Sequence, residues 1–235
     1  LSGFTSIGGK LSITDNVALT SLSSLSGLTS IGGYLEISNN ITLTSLAGLS
    51  SLTSIDGNLA ILDNTSLTSL SGFSALTSIS GLYVGRNASL TSLAGLSGLT
   101  STGVGGLFLT DNPSLTSLSE LSAITSIYGP LIILRNASLT SLAGLENIDP
   151  TTFLPGPFSI PPIMINDNLQ LSTCAAQSIC EALDLAGITT NISGNATGCA
   201  TRAEIETACS SILPVSWTRP ITAERQGKQT LVSWS

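Results

Sequence analysis

The stretch "NITLTSLAGLSSLTSIDGNLAILDN" (residues 40–64) begins and ends on asparagine, and so do its neighbours. Before it runs "NVALTSLSSLSGLTSIGGYLEISNN" (16–40), and after it "NTSLTSLSGFSALTSISGLYVGRN" (64–87). The returning residues are Asn16, Asn40, Asn64, Asn87, Asn112, Asn136 and Asn168, at spacings of 24, 24, 23, 25, 24 and 32. Self-similarity at such a period is the mark of a solenoid, in which each repeat supplies one turn of the stack.

Within each copy, the residues five and three before the asparagine are apolar. They are Leu11/Ile13, Leu35/Ile37, Leu59/Ile61, Leu82/Val84, Leu107/Leu109, Leu131/Ile133 and Ile163/Ile165. Alternation of this kind predicts a short strand with one buried face. Further leucines recur at Leu19, Leu43, Leu67, Leu90, Leu115 and Leu139, and again three residues beyond each. Coils stacked about 4.8 Å apart pile like residues into continuous apolar columns. The asparagine amide is then placed to bond backbone groups of its own and adjacent coils at the bend. Those groups would otherwise stay unpaired, at about 1–3 kcal/mol each.

Composition narrows the function classes. The chain has 235 residues, of which 9% are charged and 42% hydrophobic, the reverse of a disordered sequence. A net charge of −7 argues against nucleic acid, and the basic residues before position 150 are Lys10, Arg86 and Arg135 alone. No apolar run reaches the length of a membrane span. The opening "LSGFTSIGG" (1–9) echoes "LSGLTSIGG" (25–33), so a mature or truncated piece of a longer product is expected. The four cysteines, Cys174, Cys180, Cys199 and Cys209, allow three pairings. With no histidine and no CxxC pair, disulfides closing one end in an oxidising setting are favoured over a metal site or a cofactor. Thr201 and Glu204 form a capping-box pattern for a helix carrying Cys209, and a second helix is expected near 174–186.

The phrase "LTSIDGNLAILDN" resembles the leucine-rich-repeat signature L-x-x-L-x-x-L-x-L-x-x-N, with one extra residue before the strand. The likeness is closest to receptor-L-domain-like leucine-rich repeats of secreted Bacteroidetes-type proteins, and it spans residues 1–209. "NISGN" resembles "EISNN", so Asn195 closes an eighth coil in this reading. The tail "LPVSWTRPITAERQGKQTLVSWS" resembles the start of a β-sandwich linker domain that precedes a type IX secretion signal. The resemblance implies a mostly-β, right-handed solenoid of about eight coils with a small helical, disulfide-bonded C-terminal cap. The expected boundaries are a repeat array over 1–173 with an insert at 146–162, a cap over 174–212, and a β tail over 213–235. By analogy with leucine-rich-repeat caps, the pairing expected is Cys174–Cys199 and Cys180–Cys209.

Candidate sites lie where the repeat varies. The outward positions of the strands are polar in the first copies (Lys10, Ser12, Glu36) and turn apolar later, at Leu62, Tyr83, Phe108, Ile132, Leu134 and Met164. That is either an interaction surface or a face covered by the insert or the tail. The insert "ENIDPTTFLPGPFSIPP" (146–162) reads as a stiff loop standing off the stack, carrying Phe153 and Phe158 for binding or for shielding Ile132 and Met164. Before each asparagine stand Asp15, Asn39, Asp63, Arg86, Asp111, Arg135 and Asp167, which from Asp63 onward alternate in sign and predict an ion-pair ladder. No nucleophile–base constellation stands out, so a non-enzymatic secreted or cell-surface protein is expected. It would act in adhesion, partner binding or surface filament assembly, with a protein, a glycan or copies of itself as partner. Regular ranks such as Thr20, Thr44 and Thr68 make ice binding the alternative, with a carbohydrate-active enzyme further behind.

Overall fold

The computed structural model describes residues 3–211 and the two tail strands Thr222–Gln226 and Gln229–Ser233. Eight strands form the path of one large sheet: β1 (Leu11–Thr14), β2 (Leu35–Ser38), β3 (Asn58–Leu62), β4 (Ser78–Gly85), β5 (Ser101–Thr110), β6 (Leu131–Leu134), β7 (Ile163–Asn166) and β8 (Thr190–Ser193). Each pairs in parallel with the next in chain order. The register aligns equivalent letters of the repeat, so Leu35 faces Leu11 and Leu59, and Ile37 faces Ile13 and Ile61. A second parallel row joins Ser6–Ile7, Ser30–Ile31 and Ser54–Ile55.

The leucine spacing of three has a local cause. Where the chain leaves the strand and turns back, it forms 3-10 turns at Ser23–Leu25, Ala47–Leu49, Ser71–Phe73 and Ser119–Leu121. Three residues per turn carry Leu46, Leu49 and Leu52 to one side, and all are fully buried. Glycine is required inside two of these turns: a Cβ on Gly48 or Gly72 would run into the Leu22 or Leu46 carbonyl of the preceding copy. Every strand from β2 to β7 buries both of its inward residues, whereas Leu11 and Ile13 of β1 are half-buried.

Two helices, α1 (Gln177–Asp184) and α2 (Arg202–Cys209), follow the last strands' repeats. Disulfides Cys174–Cys199 and Cys180–Cys209 tie this region together. Arg202 spans it, donating from Nη2 to the Leu183 carbonyl at 2.6 Å and from Nε to Glu206 at 2.6 Å. The Thr201 hydroxyl accepts from the Glu204 N–H at 3.3 Å, so α2 has its cap. The reciprocal bond of a capping box is redirected: Glu204 accepts from the Gly198 and Ala200 N–H groups instead.

Two expectations need correction. The insert does not stand off the stack from its start. The Asp149 N–H donates to Thr125 O at 2.8 Å, continuing the row in which Thr125 N–H donates to Thr100 O. Phe153 bridges Gly129 in parallel and is 2% exposed within the core, so it is a core residue and not a binding-loop residue. Only the part around Phe158 projects. Ile132, placed on the open outer face by its position, is buried at 3%. Phe108 and Met164 flank it on the adjacent strands, and the insert at Gly156 packs against Pro130 close by. At the ends of the asparagine row, Asn16 is exposed and Asn195 half-buried. In the tail, Thr222–Gln226 and Gln229–Ser233 pair antiparallel; residues 212–221 and 227–228 lie outside the described residues, and with them the expected Gln-Gly-Lys turn in part.

Candidate functional site

The two faces of the large sheet are built from adjacent letters of the repeat. On the inner side, Asn40, Asn64, Asn87, Asn112, Asn136 and Asn168 are completely buried. Each amide is bonded on all sides. The Asn87 Nδ2 donates to Ile61 O, Gly85 O and Asn112 Oδ1, while Asn87 Oδ1 accepts from the Asn64 N–H at 3.0 Å. The same bonds recur copy by copy from Asn16 to Asn195. These bonds satisfy backbone groups on the inner side of every bend, which identifies the row as structural.

One residue earlier the environment reverses. Asp15, Asn39, Asp63, Arg86, Asp111, Arg135 and Asp167 all adopt left-handed backbone, with φ between 53° and 60°. Asp and Asn tolerate that conformation and Arg does so less readily. Both arginines reach back to the preceding copy in two-pronged ion pairs. Arg86 meets Asp63 at 2.7 and 2.7 Å, and Arg135 meets Asp111 at 2.6 and 2.8 Å. The Arg135 guanidinium holds the Asp111 carboxyl below its ordinary range. These pairs are about half exposed on the arginine side, and among the described residues no cluster of acids could hold a metal.

The outer face carries the side chains that vary. Leu62, Tyr83, Phe108, Leu134 and Met164 are all partly exposed there, and the structure brings them onto one surface by register. Tyr83 and Phe108 stack, with ring centroids 4.7 Å apart and planes 17° from parallel. The Tyr83 hydroxyl donates to Gly105 O at 2.9 Å, in a glycine-rich bulge that shifts the register between β4 and β5. Burial pushes the Tyr83 phenol up, so it stays protonated and keeps that bond at any ordinary pH. Toward β1 the same face is polar: Lys10 lies over the Tyr34 ring at 5.4 Å, and Ser12 donates to Glu36 at 3.5 Å. An apolar half and a polar half thus share one sheet.

The threonine ranks have a different occupation. The hydroxyls of Thr29, Thr53, Thr100 and Thr125 donate to the backbone carbonyls of Thr5, Thr29, Thr77 and Thr100, one copy earlier. In that rank the hydroxyl donors are spent between copies; in the rank of Thr20, Thr44 and Thr68 the same bond is made by Thr91 and Thr116, to the Thr68 and Thr91 carbonyls. Phe158 projects at 97% exposure from the tip of the insert, far from the aromatic pair in sequence. Sequence reasoning missed the left-handed column, although five of its seven residues are Asp or Asn, the types that signal it. It also missed Asn191, exposed on β8 in an Asn-Ile-Ser triplet.

Comparison with known proteins is brief. No curated protein and no solved structure matches this chain. Residues 4–91, which hold the first strands of the sheet, match the family model of the receptor L domain, and this supports a receptor-L-domain-like fold for that stretch.

Proposed function

We propose that the chain is a non-enzymatic, extracellular binding protein that holds a partner on the apolar half of its outer sheet face. The carrying observation is the stacked Tyr83–Phe108 pair, placed on an open surface in the part of the repeat that changes from copy to copy. The receptor L domain match suggests ligand binding outside the cell. Two disulfides agree with an oxidising compartment, and among the described residues no helix is long and apolar enough to cross a membrane. In this reading the stack is a right-handed solenoid of about eight coils over 1–173, capped by 174–212. The partner is a protein or a glycan, contacted through Leu62, Tyr83, Phe108, Leu134 and Met164, as in adhesion.

The test is to probe arrays of extracellular proteins and of glycans with the native chain and with a Tyr83→Ser/Phe108→Ser variant. The proposal expects a ligand whose binding is lost in the variant and kept when Lys10 and Glu36 are replaced. A ligand held equally well by both, or turnover of a polysaccharide, would overturn it.

The tail favours a second reading, surface filament assembly. A two-stranded hairpin such as Thr222–Gln226 with Gln229–Ser233 is marginal alone and gains most by joining a further sheet. If a neighbouring subunit supplies that sheet, strand addition links copies head to tail. Deleting residues 215–235 would then abolish growth of the scattering mass, and unchanged assembly would eliminate this reading.

A further inference from the structure

The projecting part of the insert and the groove beside it form a second surface, separate from the sheet face and from the tail. Phe158 (φ 56°, ψ 35°) and Ser159 (φ 62°) are consecutive left-handed residues at the tip. The Gly156 N–H donates to Ile160 O at 2.9 Å and closes the loop beneath them. Pro155, Pro157, Pro161 and Pro162 stiffen both arms. The result is a phenyl ring held in solvent at 97% exposure by a backbone that non-glycine residues seldom adopt. At the base of the same loop lies an open groove of about 410 Å³, lined by Leu154, Pro155, Pro162, Leu185 and Ile188. Leu154 and Leu185 remain 42% and 36% exposed in it. The chain therefore carries an apolar knob and an apolar groove side by side, and does not fill the one with the other.

We infer that this patch is a two-fold interface, in which Phe158 of each copy enters the groove of a second copy of the same chain. A two-fold contact requires one surface that is complementary to itself, and a knob beside a groove meets that requirement. Charge points to the same partner. The chain carries a net charge of −7, so two copies repel over most of their surfaces. Yet residues 150–166 and 185–201, which supply the knob and the groove walls, contain no charged side chain. The residues that line the groove carry no charge, so two copies can meet there without burying one, with Asp149 and Asp184 left next to these segments in the chain. The stiff loop also means that little rotational freedom is lost on docking, which concentrates the binding in one aromatic anchor. The contact closes on itself, so it yields a dimer and not a growing chain.

The experiment is light scattering and sedimentation equilibrium of the full chain over a wide concentration range. Three samples are compared: native, Phe158→Ser and Leu185→Arg. Native protein should approach twice the monomer mass and stop there, with dimerisation strengthened by added salt as long-range repulsion is screened. Each variant should dimerise about a hundred-fold more weakly or worse, as expected when an anchor that acts twice is removed. The unfolding midpoint of Phe158→Ser should match the native one, since that side chain stands in solvent, and Leu185→Arg is read only where its folded state is intact. An equimolar mixture of the variants retains one intact knob and one intact groove, and should dimerise better than either alone. A native chain that stays monomeric to millimolar concentration overturns the inference. So does a dimer indifferent to Phe158→Ser, a mass that grows past the dimer through this patch, or a monomer whose own tail fills the groove.

Discussion

The two faces of the large sheet are made by the same strands and differ in what they tolerate. Inward positions keep one chemistry through seven copies: Leu or Ile at one site, a β-branched or Leu residue at the next, and the amide at the bend. Outward positions range from Lys10 and Glu36 to Tyr83, Phe108 and Met164. The inner face repeats because stacking in register sets each residue against its own equivalent, so one good choice serves every rung. The outer face is free of that constraint and can be specialised. What repeats builds the molecule, and what varies is available for a partner.

The sharpest way to break this comparison is to remove one buried amide. Asn87→Ala leaves the Asn64 N–H without its acceptor in a sealed interior and takes one donor from each of the Ile61 and Gly85 carbonyls, the latter still bonded by the Asp63 N–H. A loss of about 3–5 kcal/mol is expected in urea or guanidinium denaturation, the range for a broken buried network. The same burial makes a chemical prediction. Asn40, Asn64, Asn87 and Asn136 stand in N-glycosylation triplets yet are 0% exposed, whereas Asn191 of Asn-Ile-Ser is exposed on β8. Asn195 of Asn-Ala-Thr is half-buried and its amide donates to the Ile165 and Cys199 carbonyls. In folded protein from a glycosylating host, intact and peptide mass should therefore show no glycan at these five sites and should leave Asn191 as the accessible one.

Thr102 is an exception within the inner face. It stands where Ile31, Ile55, Ile79 and Ile127 stand in other copies, is fully buried, and its hydroxyl has no partner. Thr102→Val keeps the shape and removes the orphan, so a gain of about 1 kcal/mol in unfolding free energy is expected. An unchanged or lower midpoint would mean that the hydroxyl is satisfied in solution. The exposed charge column gives the smallest effect. Because Arg135 lowers the folded pKa of Asp111, the pair's contribution is complete above the ordinary carboxylate range and is lost as pH falls through the lowered value. Arg135→Ala should cost about 0.5 kcal/mol near neutrality, as for surface pairs. The difference from native should vanish in acid denaturation series below the Asp111 titration.

How much of this was legible follows from the same contrast. The strand positions, the apolar columns and the amide row could be read because a period of about 24 residues repeats them, and a periodic signal survives local exceptions. The left-handed column was hidden by Arg86 and Arg135, two residues that do not advertise that conformation. Phe153 was read as loop because the 32-residue spacing breaks the count. The Asp149–Thr125 bond and the Gly129 pairing show that the backbone re-enters the stack there. For Ile132 the sequence leaves contact surface and covered face both open, because alternation reports direction and says nothing of what packs over a residue; its burial favours the covered face. The Tyr83–Phe108 stack sits between these cases: its direction was readable, and its contact depends on the register across the β4–β5 bulge.

The division of labour between the faces is most directly tested by one comparison of unfolding free energies, Tyr83→Ser/Phe108→Ser against Asn87→Ala. If the aromatic pair serves a partner, the double variant loses its mutual stacking, its partial burial and the Tyr83–Gly105 hydrogen bond, about 1–3 kcal/mol, short of the amide substitution. If it unfolds as readily as Asn87→Ala, the aromatic pair is part of the framework, and the outer face is not a surface held free for binding.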